Sequence, residues 1–112
     1  MKILPSLRER RRYVVFESSE ETGRDELMKA VISSVHSLFG DVEASEIRPQ
    51  LVEFSGKAGI LRCTHAKVEE LRAALACIHE IGGKRISLRV VGVSGTIRGA
   101  KEKFYWKVGQ NG

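Results

Sequence analysis

Apolar positions recur with two different periods along this chain, and the switches between them mark its elements. Arg12–Glu17 (RYVVFE) is short, β-branched and aromatic, which predicts a strand. Ser18–Gly23 is polar and reads as a loop. Leu27, Val31, Val35 and Leu38 then recur at helical spacing, with Met28, Ile32 and Phe39 beside them and Gly40 as a stop. Leu51–Phe54 and Gly59–Thr64 read as two strands joined across Ser55-Gly56-Lys57, a hairpin-type turn. Pro49 marks a strand start or a sheet edge. Val68, Leu71, Leu75 and Ile78 predict a second helix stopped by Gly82-Gly83. Lys84–Val93 reads as the last strand and Ile97–Lys107 as a tail helix, with Ile97, Ala100, Phe104 and Val108 as its apolar stripe.

The order strand–helix–strand–strand–helix–strand predicts an α+β fold of the ferredoxin-like, split βαβ kind. In it two helices cover one face of a four-stranded antiparallel sheet, with a C-terminal helix added. The other sheet face is open unless the tail helix lies over it. At 112 residues there is room for one domain. Residues 1–11 read as a basic N-terminal arm, 12–108 as the domain and 109–112 as a tail.

Composition narrows the setting. The hydrophobic content of 42% suits an ordinary globular core, and no apolar run approaches the roughly 20 residues of a membrane span. Pro5 and a run of arginines interrupt the N-terminus where a signal peptide would be apolar. Two cysteines without a disulfide framework point to a reduced, cytoplasmic protein.

Charge is segregated. Residues 1–12 carry a net +4, residues 13–81 a net −5 and residues 82–112 a net +6. Two basic ends around an acidic middle suggest a polyanion at the ends and a protein partner at the middle. The segment Val93-Ser94-Gly95-Thr96-Ile97-Arg98-Gly99-Ala100-Lys101 sharpens this. It follows a strand, turns on glycine, and opens a helix whose first turns hold Arg98 and Lys101 where acids are usual. Cations at the positive end of a helix dipole oppose stability, and they make sense where an external phosphate is expected.

Catalytic and metal chemistry fare less well. Cys63-Thr64-His65 and Cys77-Ile78-His79 supply four zinc-type ligands in number and type. With Cys77 and His79 read as helical, two residues apart, they point about 200° from each other and cannot share a metal. Cys77 is expected beside the buried stripe. Asp25, Glu26, Asp41, Glu43 and Glu46 show no catalytic spacing. His36 reads as a helical surface or half-buried side chain. An acylphosphatase-like site needs an anion-binding loop after the first strand, where Ser18-Ser19-Glu20-Glu21 would repel phosphate. Base stacking of the RNA-recognition-motif kind needs aromatics on the central strands, and Gly59–Thr64 has none. Tyr13 and Phe16 point to opposite faces. Tyr105 and Trp106 read as packing residues of the tail helix. RNA contact through backbone and shape is therefore favoured over stacked single-strand readout.

Three stretches then carry a family likeness: Leu7–Tyr13; Gly59–Cys63 with Leu71–Leu75; and Val90–Arg98 with Lys103-Phe104. In them the chain resembles archaeal ribonuclease P protein component 2 and its eukaryotic relatives in ribonuclease P and MRP. The resemblance implies a non-catalytic subunit of the ribonucleoprotein endonuclease that matures the 5′ ends of precursor tRNA. It implies that the RNA subunit performs the Mg2+-dependent hydrolysis, that the chain needs no cofactor of its own, and that a TIM-barrel-like protein is a partner. By position it assigns RNA contact to Arg8, Arg10, Arg11, Arg12, Ser94, Thr96, Arg98, Lys101 and Lys103. Lys84 and Arg85 join them on charge alone. Asp41, Glu43 and Glu46, read as an acidic loop, are candidates for a protein contact or self-association. A general RNA-binding module of another ribonucleoprotein, or a ferredoxin-like regulatory or interaction domain, remains open.

Overall fold

Val14 and Val15 are neighbours on one strand and both are fully buried, each in a different core. The side chains of a strand alternate in direction, so both faces of the sheet must be covered. A computed structural model describes residues 10–106. Arg8 and the rest of the arm before residue 10, Lys107, Val108 and the 109–112 tail lie outside the described residues.

The elements are β1 (Arg11–Ser18), α1 (Arg24–Ile47), β2 (Gln50–Phe54), β3 (Ala58–Thr64), a 3-10 turn (His65–Lys67) and α2 (Val68–Ala76). They continue as β4 (Glu80–Ile81), β5 (Lys84–Arg85), β6 (Leu88–Ser94) and α3 (Ile97–Ala100), which runs on as a π-helical turn over Lys101–Tyr105. The main sheet has the order β2-β3-β1-β6 with every neighbouring pair antiparallel, consistent with a ferredoxin-like arrangement.

On one face Val14, Phe16, Leu61 and Cys63 meet Leu27, Val31 and Val35 of α1 and Leu71, Ala74 and Leu75 of α2. Each large side chain buried here contributes about 1.5–3 kcal/mol. The Phe16 ring lies on Gly59, where a Cβ would stand 2.6 Å from it. On the opposite face Val15 and Ile60 meet Ala100, with Tyr13, Val52, Val91, Phe104 and Tyr105 around them. The tail helix therefore covers the face that the sequence pattern left undecided.

Three elements differ from their expected form. Gly40 (φ 83, ψ 174) breaks the α1 helix without ending it, because Ala44 and Ile47 beyond it are buried and hold a second helical segment to the core. Asp41, Glu43 and Glu46 are thus helical, not in a loop. Gly82 (φ 59) and Gly83 (φ 82) are the two-residue turn of the β4–β5 hairpin, which needs positive φ at both positions. The helix they were expected to stop ends earlier, at Ala76. The expected strand Lys84–Val93 is accordingly two pieces, a hairpin arm and β6, separated by the buried Ile86. Because α2 ends there, Cys77 caps it and is exposed rather than packed beside the apolar stripe, while Cys63 is the buried cysteine.

Candidate nucleic-acid interface

Pairing of Tyr13 with Ser94 brings the start of β1 beside the end of β6. The arginine run and the glycine turn meet there, with Arg12 and Gly95 standing 83 residues apart in the chain: the Arg12 guanidinium nitrogen Nη1 lies 3.7 Å from where a Cβ on Gly95 would stand. Arg12 also donates to the Arg11 carbonyl at 3.0 Å. Arg10 is exposed at the strand's entry, and its carbonyl accepts from the His65 N–H at 2.8 Å.

The turn after β6 is built by hydroxyls. Ser94 Oγ accepts from the Thr96 N–H at 3.3 Å, and Thr96 Oγ1 accepts from the Gly99 N–H at 3.0 Å as the N-cap of α3. A Cβ on Gly99 would stand 2.6 Å from Ser94 Oγ, so glycine lets the hydroxyls close over the first turn. Thr96 thereby occupies one of the orphan N–H donors of the helix start. Its neighbours divide the work. Arg98 is exposed and pairs with Glu102 at 3.1 Å one turn on. Lys103 is exposed. Lys101, about one-third exposed, reaches Glu53 of β2 at 3.2 Å and ties the tail helix to the sheet.

The other candidates lie elsewhere. Ser18 pairs with Leu88, so the chain enters β6 at the far end of β1 from Arg11 and Ser94. Lys84 and Arg85 sit on the hairpin before that entry, about 20 Å from the arginine run by strand length. The structure does not bring them to the Arg12–Gly95 site. Of the acids, Asp41 meets His36 Nδ1 at 2.8 Å, and Glu43 holds Lys67 at 2.7 Å across to the start of α2. That hydrogen bond with Glu43 is the chief cause raising the Lys67 pKa. Glu46 is exposed. Among the described residues no three His, Cys, Asp or Glu side chains converge on a metal position, and no helix is long and apolar enough to cross a membrane.

Two cations escaped the sequence reading. Arg48 and Arg62 line one recess with Arg11, at the same end of the sheet as the Arg12–Gly95 contact. Arg62 did leave a signal, as the single charge within the apolar run of β3. Trp106 was expected to pack and is 55% exposed, its ring edge-on to Tyr105 with centroids 6.1 Å apart.

A sheet covered on both faces, with arginines and a hydroxyl-built turn gathered at one end, defines an α+β protein with a basic rim. The chain belongs to the Rpp14/Pop5 family, whose model matches residues 12–105. It is 46% identical to ribonuclease P protein component 2 of Methanosarcina acetivorans over 105 residues, covering 92% of this chain and 80% of that one. It is 38% identical to the protein of the same name from Pyrococcus horikoshii over 109 residues, covering 94% and 91%. A chain in the cryo-EM structure of yeast ribonuclease MRP has the same fold, with a TM-score of 0.66 at 8% identity over 99% of this chain and 94% of that one.

Proposed function

We propose that this chain is a non-catalytic protein subunit of ribonuclease P that binds and stabilises the catalytic RNA for 5′ maturation of precursor tRNA. The observation that carries the reading is the meeting of Arg12 with Gly95, which joins the two stretches of family likeness into one basic surface. Arg10, Arg11, Arg12, Arg98 and Lys103 supply cations where RNA strands crowd together, releasing counterions as they neutralise phosphates. Ser94 and Thr96 hold the turn that presents Arg98. The fold is used in its ferredoxin-like form, with the tail helix over the face that related folds use for base stacking. Hydrolysis belongs to the RNA subunit and its Mg2+, in a cytoplasmic complex that includes a TIM-barrel-like protein. The helical acids Glu46 and Asp41 are candidates for the protein contact or for self-association, with Glu43 available after release of Lys67.

The test is precursor-tRNA cleavage by archaeal ribonuclease P RNA and its TIM-barrel-like protein, with and without this chain, at limiting Mg2+. Restored cleavage at the mature 5′ end is expected. No stimulation, beside an authentic subunit that does stimulate, would sink the reading in favour of a module serving another RNA.

A further inference from the structure

Alternation along the strands puts Arg11 of β1, Arg62 and Thr64 of β3 and Gln50 of β2 on the tail-helix face of the sheet, beyond Tyr13. Cross-strand pairing aligns them: Arg11 is opposite Thr64, and Arg62 lies between Tyr13 and Gln50. With Arg48 they line a recess of about 50 Å³, and the six described residues around it include no acid. That volume admits a few water-sized groups.

Two features show a built site. Arg62 donates to Gln50 Oε1 through both Nε (3.1 Å) and Nη2, which fixes the plane of the guanidinium and leaves three of its five N–H donors for another acceptor. Arg48 stands in the left-handed region (φ 50, ψ 59), the one described non-glycine residue there. Glycine or asparagine is usual at such a helix end, and an arginine held in a sparse conformation points to use of its side chain.

We propose that Arg11, Arg48 and Arg62, with the Thr64 hydroxyl, bind one phosphodiester of an RNA backbone. The guanidinium fork matches phosphate oxygens in pairs. Guanidinium groups brought to one small recess from the first strand, the third strand and the end of α1 suit a chain of phosphates, which continues toward Arg10 and Arg12. The inference rests on the RNA-binding reading above and adds to it a defined anchoring point.

The experiment uses the full chain in two arms. In the first, inorganic phosphate is titrated while the arginine Nε–H resonances are followed by NMR. A saturable shift at Arg11, Arg48 and Arg62 is expected, and the Arg11 resonance should lose its saturable shift in an Arg48→Gln/Arg62→Gln variant of unchanged circular dichroism. Unsaturable shifts spread over all arginines overturn the site. In the second arm, affinity for ribonuclease P RNA is measured against salt. The double variant should show a slope flatter by about one unit, and Lys29→Gln/Arg72→Gln should not. Equal slopes for the wild type and the double variant overturn the site while the subunit reading stands. If the wild type ignores that RNA, the same difference on a homopolymeric RNA supports the site and removes the subunit reading. Its absence there overturns both.

Discussion

The Phe104 ring rests directly on Gly92: a Cβ on Gly92 would stand 2.4 Å from ring atom Cε1. Gly92 lies on β6 and faces Val15 of β1, so the ring seals the second core at its edge. A methyl group here has no space, because the obstacle is a packed ring rather than a mobile side-chain end. Gly92→Ala should destabilise the protein by about 1–3 kcal/mol, read from denaturant unfolding. In a Phe104→Ala background the same change should cost under about 0.5 kcal/mol, because the ring it strikes is gone. Equal costs in both backgrounds would mean that the ring does not sit there.

Charge reversal of Arg10, Arg11 and Arg12 to glutamate should abolish stimulation of precursor-tRNA cleavage at limiting Mg2+. The three side chains are exposed or half-buried, so circular dichroism should be unchanged. Affinity for the RNA should fall by roughly two orders of magnitude, and less at high salt. A triple variant that stimulates as well as the parent would strip the run of its role.

The buried Cys63 thiol is pushed up to about 11 by desolvation and then by the charge of Glu70. A thiol whose folded pKa lies above its unfolded value near 9 stays protonated in the fold while the unfolded chain gives up its proton. Its contribution is therefore complete below pH 9 and is lost as pH rises toward 11, by roughly 2–3 kcal/mol. Cys63→Ala should flatten that part of the stability profile. At pH 8 iodoacetamide should label the exposed Cys77 and spare Cys63 until the protein unfolds.

Arg48→Gly separates stability from binding. Glycine relieves the left-handed backbone, worth about 1–2 kcal/mol, against a loss of about 0.5–1 kcal/mol from its greater freedom when unfolded. With the interaction that Arg48 makes in the fold also lost, stability should fall by no more than about 1 kcal/mol while RNA affinity drops. A larger fall in stability would show that Arg48 serves the fold.

Much of this was readable from residue spacing, and the failures have physical causes. Leu27, Val31 and Val35 are buried as their helical period requires, and Val14, Phe16, Leu61 and Cys63 as strand alternation requires. Gly40 misled because a helix stop and a helix kink share one residue type, and only burial of Ala44 and Ile47 distinguishes them. Gly82-Gly83 misled for a similar reason, being as good a hairpin turn as a helix end. At the site, Arg12 and Gly95 were both singled out, yet their contact depends on β1–β6 register. Arg48 and Arg62 stayed hidden because their recess exists only once three strands are side by side. Clustering across a sheet leaves no trace in local spacing.

The tail helix has one further consequence, in the order of assembly. Its ten described helical residues find their footing on Val15 of the first strand and Ile60 of the third, and a short helix of this kind draws its stability from such packing rather than from propensity. The helix can settle only when distant parts of the chain have already paired. Arg98 and Lys103 are thus displayed only by finished molecules. An RNA that grips them draws the folding equilibrium toward completion and passes over chains whose sheet is still open.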